Sequence, residues 1–185
     1  EEPTYGVVIY GGTSGAIAAA VQAKRMGKSV VVIESTSREG GLTTGGLGQT
    51  DIGNKQVIGG LAREFYRRIA KHYHDPSAWK WERREDYKDS GQTRTEKGEE
   101  TMWTFEPSAA LKVYRDWIAE TGLELIRSER LDRGASPGPD HGFTVSKSGR
   151  DSLRRNGCTT GLHVSRAAMG TIVHLAGAGR SPSRE

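Results

Sequence analysis

Val7-Val8-Ile9-Tyr10-Gly11-Gly12-Thr13-Ser14-Gly15-Ala16-Ile17-Ala18-Ala19-Ala20-Val21, followed by Ser29-Val30-Val31-Val32-Ile33-Glu34, decides how this chain begins to fold. The run from Tyr5 to Tyr10 is β-rich and apolar without polar alternation, the pattern of a strand covered on both faces of a parallel sheet. Gly11–Gly15 reads as a turn. Ala16 to Met26 is rich in helix formers, with Ile17, Val21 and the alanines available to face a sheet. Gly27 suits the helix C-cap. Ser29 to Ile33 is a second buried strand. Strand, glycine turn, helix and strand within about 30 residues make a βαβ unit.

The turn itself is informative. A dinucleotide fingerprint has the form G-x-G-x-x-G/A between a strand and a helix. Gly11 takes its first position, Thr13 the second and Ala16 the third. Gly11 allows the sharp turn off the strand, and Ala16 is small enough for close helix–strand packing. The N–H groups of Gly11, Gly12, Thr13, Ser14, Gly15 and Ala16, at a positively polarised helix N-terminus, suit a pyrophosphate. Thr13 departs from the pattern: its Cβ limits backbone approach, while its hydroxyl offers a phosphate contact. Glu34 lies 23 residues after Gly11, at the end of the second strand. An acid there accepts from ribose hydroxyls and repels a 2′-phosphate, which disfavours NADP. A glycine loop alone is weak evidence; the loop, its flanking elements and the acid together are much stronger.

A second cluster follows, Glu39-Gly40-Gly41-Leu42-Thr43-Thr44-Gly45-Gly46-Leu47-Gly48. So many glycines suit close approach of backbone to a ligand, with a plain flexible loop as the alternative. A simple NAD dehydrogenase has no need of this cluster, whereas FAD lies extended across its domain. Together, Val7–Ala23, the run ending in Glu34, Gly40–Gly48, I-G-G-L-A-R-E-F-Y (Ile58–Tyr66) and F-E-P (Phe105–Pro107) resemble the start of an FAD-dependent oxidoreductase family. Its members share the glutathione-reductase-like flavoprotein fold, and some carry a xanthan lyase label. The resemblance covers about residues 5–133. It implies FAD as cofactor, held by Gly11–Ala16 at the pyrophosphate, by Glu34 at the ribose, and by Gly40, Gly41 and Leu42 towards the flavin. Gly6 departs from the acidic residue common before the first strand.

Farther along, Leu61 to Tyr73 reads as a helix, with Leu61, Phe65 and Ile69 in helical register. Asp75 to Thr101 is polar and reads as a surface insertion. Pro107 to Thr121 is another helix, with Leu111, Tyr114 and Ile118 as its apolar stripe and Gly122 at its end. Leu123 to Ile126 reads as a further strand. Gly134 to Asp140 has linker composition, and the Gly/Ser/Arg-rich remainder holds one apolar stretch, Gly170 to Ala176. The family usually continues with an I-D-A-T-like segment, a substrate domain and a second flavin-contacting glycine segment. None is legible after Arg133. The expected fold is therefore α/β, a Rossmann-like FAD/NAD(P)-binding domain with a parallel sheet, incomplete at its C-terminal end. The expected organisation is a binding domain over 1–133 and a loosely ordered, truncated or misread tail over 134–185.

Charge and composition exclude several classes. The net charge of +4 is carried by residues 134–185, where seven Lys/Arg face three acids, and the preceding body is balanced. A nucleic-acid partner would need a basic face, which the body lacks. No apolar run approaches the ~20 residues of a membrane span. Cys158 is the only cysteine, so there is neither an intramolecular disulfide nor a CxxC pair. His72-Tyr73-His74-Asp75 puts its two histidines on different helix faces with no third ligand at metal spacing, so no metal is expected. Ser14 lacks the G-x-S-x-G context of a nucleophile elbow. No catalytic residue or substrate is assigned, and the oligomeric state is left open. The chain begins at Glu1 without Met, which leaves leader removal or a fragment as readings, and a cytoplasmic or exported location with them. The favoured function is an FAD-dependent oxidoreductase, with this chain alone expected to show little turnover. An NAD-dependent dehydrogenase and a non-catalytic nucleotide-binding fragment are the alternatives.

Overall fold

The computed structural model describes residues 5–49, 52–89, 91–95, 97–131, 143–147, 162–164 and 171–174. They fall into two compact units, Glu1–Gly41 with Ile118–Glu185, and Leu42–Trp117.

The first unit is built on a parallel sheet. Strand β1 (Val7–Tyr10) leads through the glycine turn into α1 (Ser14–Arg25) and then β2 (Val30–Glu34). Strand β3 (Glu124–Arg127) pairs with β2, and β7 (Thr171–His174) pairs with β1, giving the order β3-β2-β1-β7. All three pairings are parallel, with Tyr10 opposite Ile33 on one side and His174 on the other. Both faces of β1 and β2 are apolar, as the uninterrupted Val/Ile runs predict. On one face Ile9, Val30 and Val32 pack with Ala16 and Ala20 of α1. On the other, Val8, Val31 and Ile33 cluster with Tyr5, Tyr10 and Ile126. Ala16 and Ala20 are one turn apart, and their small side chains let α1 lie close on the strands. Gly27 follows the helix with φ +77°, the left-handed conformation that ends helices at low steric cost. Between β3 and β4 (Glu129–Leu131), Ser128 takes a positive φ of 62° and donates its N–H to the Thr36 carbonyl at 3.0 Å. Strands β4, β5 (Phe143–Lys147) and β6 (Leu162–Val164) form an antiparallel sheet. The apolar stretch Gly170–Ala176 contains β7. The expectation of loose order in 134–185 otherwise falls on residues outside those described.

The second unit is helical. It holds α2 (Leu42–Gly45), α3 (Gly60–Tyr73) and the larger part of α4 (Pro107–Thr121). Phe65, Ile69 and Tyr73 are the buried residues of α3. The buried residues of α4 are Ala109, Ala110, Val113, Tyr114 and Trp117, and the stripe from Ala110 to Trp117 is rotated from the expected Leu111, Tyr114 and Ile118. The spacing i, i+3, i+4, i+7 fits one helix face, and the aromatic core fixes it. Phe65 stacks on Tyr114 with ring centroids 5.3 Å apart and meets Phe105 edge-on at 5.4 Å. Trp117 Nε1 donates to Glu64 at 2.8 Å, so this large residue is buried with its polar edge satisfied. The polar stretch 75–101 lies inside this unit.

Candidate functional site

The fingerprint turn sits at a topological switch point. From β1 the chain builds the sheet towards β2 and β3, while β7 lies on the opposite side. In open parallel sheets a crevice at the carboxyl ends of the strands, where the order reverses, is the usual ligand site. Gly11 follows Tyr10 at that end of β1. Its φ is +101°, and its N–H donates to the Ile33 carbonyl at 2.7 Å, so the turn begins under the control of the neighbouring strand.

Glu34 is the last residue of β2 and is only 7% exposed. Its Oε2 accepts the Gly12 N–H, and its Oε1 accepts the Thr36 N–H at 2.7 Å. The Ser35 hydroxyl is a longer donor to Oε1 at 3.4 Å. A carboxylate has about four acceptor positions, so these three donors leave capacity for one ligand hydroxyl. Gly12 has a role that its place in the loop did not signal. A Cβ at position 12 would stand 2.5 Å from Glu34 Oε2 and 3.1 Å from its Cβ and Cγ. The missing side chain makes room for the carboxylate.

Thr13 is the N-cap of α1, and its hydroxyl accepts the Ala16 N–H at 3.3 Å. This is the standard use of threonine before a helix, a signal present in the sequence that phosphate chemistry overshadowed. Ser14 and Gly15 make the first helical turn, with Gly15 exposed and Ala16 buried beneath them.

The second glycine cluster reaches the same turn. Gly40 N–H donates to the Gly12 carbonyl at 2.6 Å, and Gly40 forms a parallel bridge with Thr13. Gly41 is exposed with φ +56°, and a Cβ there would lie 3.6 Å from Thr13 Cα. Thus Gly11, Gly12, Thr13, Glu34, Gly40 and Gly41 come together within one unit. Leu42, the remaining residue implied by resemblance, opens α2 in the other unit and is 75% exposed.

Beside Gly40 lies an ion pair missed in the sequence, with its carboxylate buried and its guanidinium partly exposed. Glu39 is fully buried, and its Oε2 is 2.9 Å from Arg127 Nε at the end of β3. The carboxylate raises the guanidinium pKa further above its ordinary value, partly opposed by burial. No local pattern marks a single acid in a glycine loop as buried, because its partner is 88 residues away. The pair ties the start of the glycine cluster to the sheet.

The family model for FAD dependent oxidoreductase matches residues 6–176. The chain belongs to the FAD-dependent oxidoreductase family. Solved structures agree in fold with this family assignment. A bacillithiol disulfide reductase from Bacillus cereus matches with a TM-score of 0.50 at 16% identity, over 93% of this chain and 39% of its own. An oxidized steroid monooxygenase bound to NADP matches with a TM-score of 0.51 at 15% identity, over 98% and 28%. BexE, studied for oxidation during BE-7585A biosynthesis, matches with a TM-score of 0.50 at 21% identity, over 94% and 31%. The chain therefore spans less than half the length of each. The shared fold is a Rossmann-like FAD/NAD(P)-binding α/β fold with an open parallel sheet. Among curated proteins nothing matches this chain. Among the described residues, no group of three or more His, Cys, Asp or Glu could hold a metal ion. No helix among them is long and apolar enough to cross a membrane.

Proposed function

We propose that the first unit binds the ADP half of FAD and that the chain works as the cofactor-binding part of an FAD-dependent oxidoreductase. The observation that carries this reading is the meeting of Gly12, Glu34 and Gly40, which joins the phosphate turn, the ribose acid and the second glycine segment through hydrogen bonds. These residues fit the cofactor. Gly11 to Ala16 present backbone N–H groups and a helix N-terminus for the pyrophosphate. Glu34 has acceptor capacity for a ribose hydroxyl, and its charge opposes a 2′-phosphate. Gly40 and Gly41 offer backbone free of side chains where the cofactor extends towards the flavin, with exposed Leu42 following them. The flavin, when bound, supplies hydride or electron transfer, while the protein binds and orients it. The substrate in this reading is a small molecule, and no nucleic acid takes part.

The test is absorbance spectroscopy of the purified chain after FAD addition and desalting. Flavin bands should travel with the protein. Glu34→Lys should lower FAD and ADP affinity at least about tenfold, since a hydrogen bond to a charged group is worth ~1.5–3 kcal/mol. Gly11→Val should abolish binding with far-UV circular dichroism retained, because a β-branched residue does not follow a turn at φ +101°. Wild-type affinity in both variants would place the nucleotide elsewhere.

A further inference from the structure

The second unit carries a cleft that plays no part in the proposed flavin site. Its volume is about 220 Å³, below the several hundred Å³ of drug-sized sites and suited to a headgroup. Tyr73, Trp79, Trp81 and Tyr87 line it together with the carboxylates of Glu82 and Glu106. Tyr73, Trp79 and Tyr87 pack as a wall: Tyr73 and Trp79 have centroids 5.2 Å apart, and Trp79 and Tyr87 5.4 Å. Trp81 lines the same cleft yet is 88% exposed. A largely exposed indole on an aromatic cleft is unusual for a residue serving only packing.

The chemistry of the lining selects a ligand class. Trp79 Nε1 is engaged by the Tyr73 carbonyl at 2.9 Å, so its ring offers a ligand its π face and apolar edges. Burial raises the Tyr73 hydroxyl to about 12, with the Glu106 N–H opposing the rise and its carboxylate adding to it, and burial also raises Tyr87. Both rings therefore stay neutral phenols with electron-rich faces at ordinary pH. The Tyr73 hydroxyl donates to Glu106 Oε2 at 3.1 Å and accepts the Glu106 N–H at 2.9 Å, which fixes that residue at the cleft. Among the described residues Lys80 is the one cation in the lining, against two carboxylates. Aromatic faces with excess negative charge recognise an alkylated cation, whose methyl groups pack on the rings while its charge meets the ring quadrupoles.

We propose that this cleft binds a small alkylammonium group, of trimethylammonium size, between Trp79, Trp81 and Glu106. A sugar would also use an exposed ring as a platform, and its hydroxyls could donate to Glu82 and Glu106; the excess of negative charge in the lining is what favours the cation. The proposal rests on the second unit alone and stands or falls apart from FAD binding.

The test titrates the full chain with tetramethylammonium and choline at constant ionic strength, reading tryptophan fluorescence and the indole N–H signals in NMR. The neutral carbon isostere of choline, 3,3-dimethyl-1-butanol, is the control, and glucose and cellobiose are the sugar probes. Choline should bind saturably and about tenfold more tightly than its isostere, from the cation–π contribution of a partly desolvated site. Trp81→Ala should weaken choline binding severalfold with an unchanged melting temperature, because that ring is exposed. Glu106→Gln should do the same for choline and leave the isostere unaffected. Equal affinity for choline and its isostere, no saturable response to either ammonium, or a response to sugars alone would each overturn the assignment.

Discussion

Replacing Gly12 with alanine separates a structural account of the nucleotide turn from a motif-based one. The new Cβ would stand 2.5 Å from Glu34 Oε2, closer than real Cβ contacts, and 3.1 Å from Glu34 Cβ and Cγ. The carboxylate must move by about half an ångström or more to restore ordinary contact. That breaks the Gly12 N–H to Oε2 bond and disturbs the 2.7 Å bond from Thr36. Losing one hydrogen bond to a charged acceptor costs ~1.5–3 kcal/mol. For a chain of this size each kcal/mol shifts the midpoint by ~2–4 °C, so Gly12→Ala should melt roughly 3–12 °C below wild type. FAD affinity should also fall at least about tenfold, because the ribose acceptor has moved. Scanning fluorimetry and FAD fluorescence quenching measure the two effects. A double-mutant cycle locates their cause. In a Glu34→Ala background only the 3.1 Å Cβ contact remains, so Gly12→Ala should there cost at least ~1 kcal/mol less. Wild-type melting and affinity in Gly12→Ala, or the same penalty in both backgrounds, would refute the idea that this glycine makes room for Glu34.

Three further outcomes are expected. Arg127→Met removes the guanidinium from buried Glu39 and should lower the urea midpoint by ~1–2 kcal/mol equivalent, the lower part of the charged-bond range because Arg127 is 37% exposed and water screens it; Arg127→Lys should recover part of the loss. Gly48→Ala drives a Cβ into the Phe105 carbonyl oxygen, a backbone atom with no rotamer to escape by. It should destabilise the second unit by ~1–3 kcal/mol, read from loss of near-UV circular dichroism at lower temperature. Tyr73 has its folded pKa raised from 10.0 to about 12, chiefly by burial. Its stabilising contribution is therefore fully present below pH 10 and is lost as pH rises towards about 12. Ultraviolet difference titration should find Tyr5, Tyr73 and Tyr87 among the late tyrosines, and one fewer late group in Tyr73→Phe.

Much of the first unit is legible in its residues because the controlling interactions are local. Val7–Tyr10 and Val30–Glu34 are too apolar to be anything but covered strands, the alanines of α1 announce a helix that lies close, and Gly11 announces a turn. Pro107 and Gly122 bracket α4 for the same reason. Where helix position depended on packing, local pattern misled. The buried stripe of α4 turned towards Val113 and Trp117 because Phe65, stacked on Tyr114 and edge-on to Phe105, packs there. Three tryptophans have different environments that no local pattern sets: Trp103 is fully buried, Trp79 half-buried and Trp81 open on a cleft.

Long-range pairing decided the rest. Nothing near Thr171–His174 says that it will lie beside β1, since a parallel pairing draws its hydrogen bonds from a strand more than 150 residues away. Glu39 looks like a solvated loop acid until Arg127 arrives from the end of β3. Gly12 looks like one more phosphate-loop glycine until β2 brings the Glu34 carboxylate into the space its side chain would fill. The chain's local chemistry thus specifies which segments become strand, turn and helix. The environment of each polar group in the site depends on which distant backbone and side chains exclude water from it, and that is set by the assembled sheet.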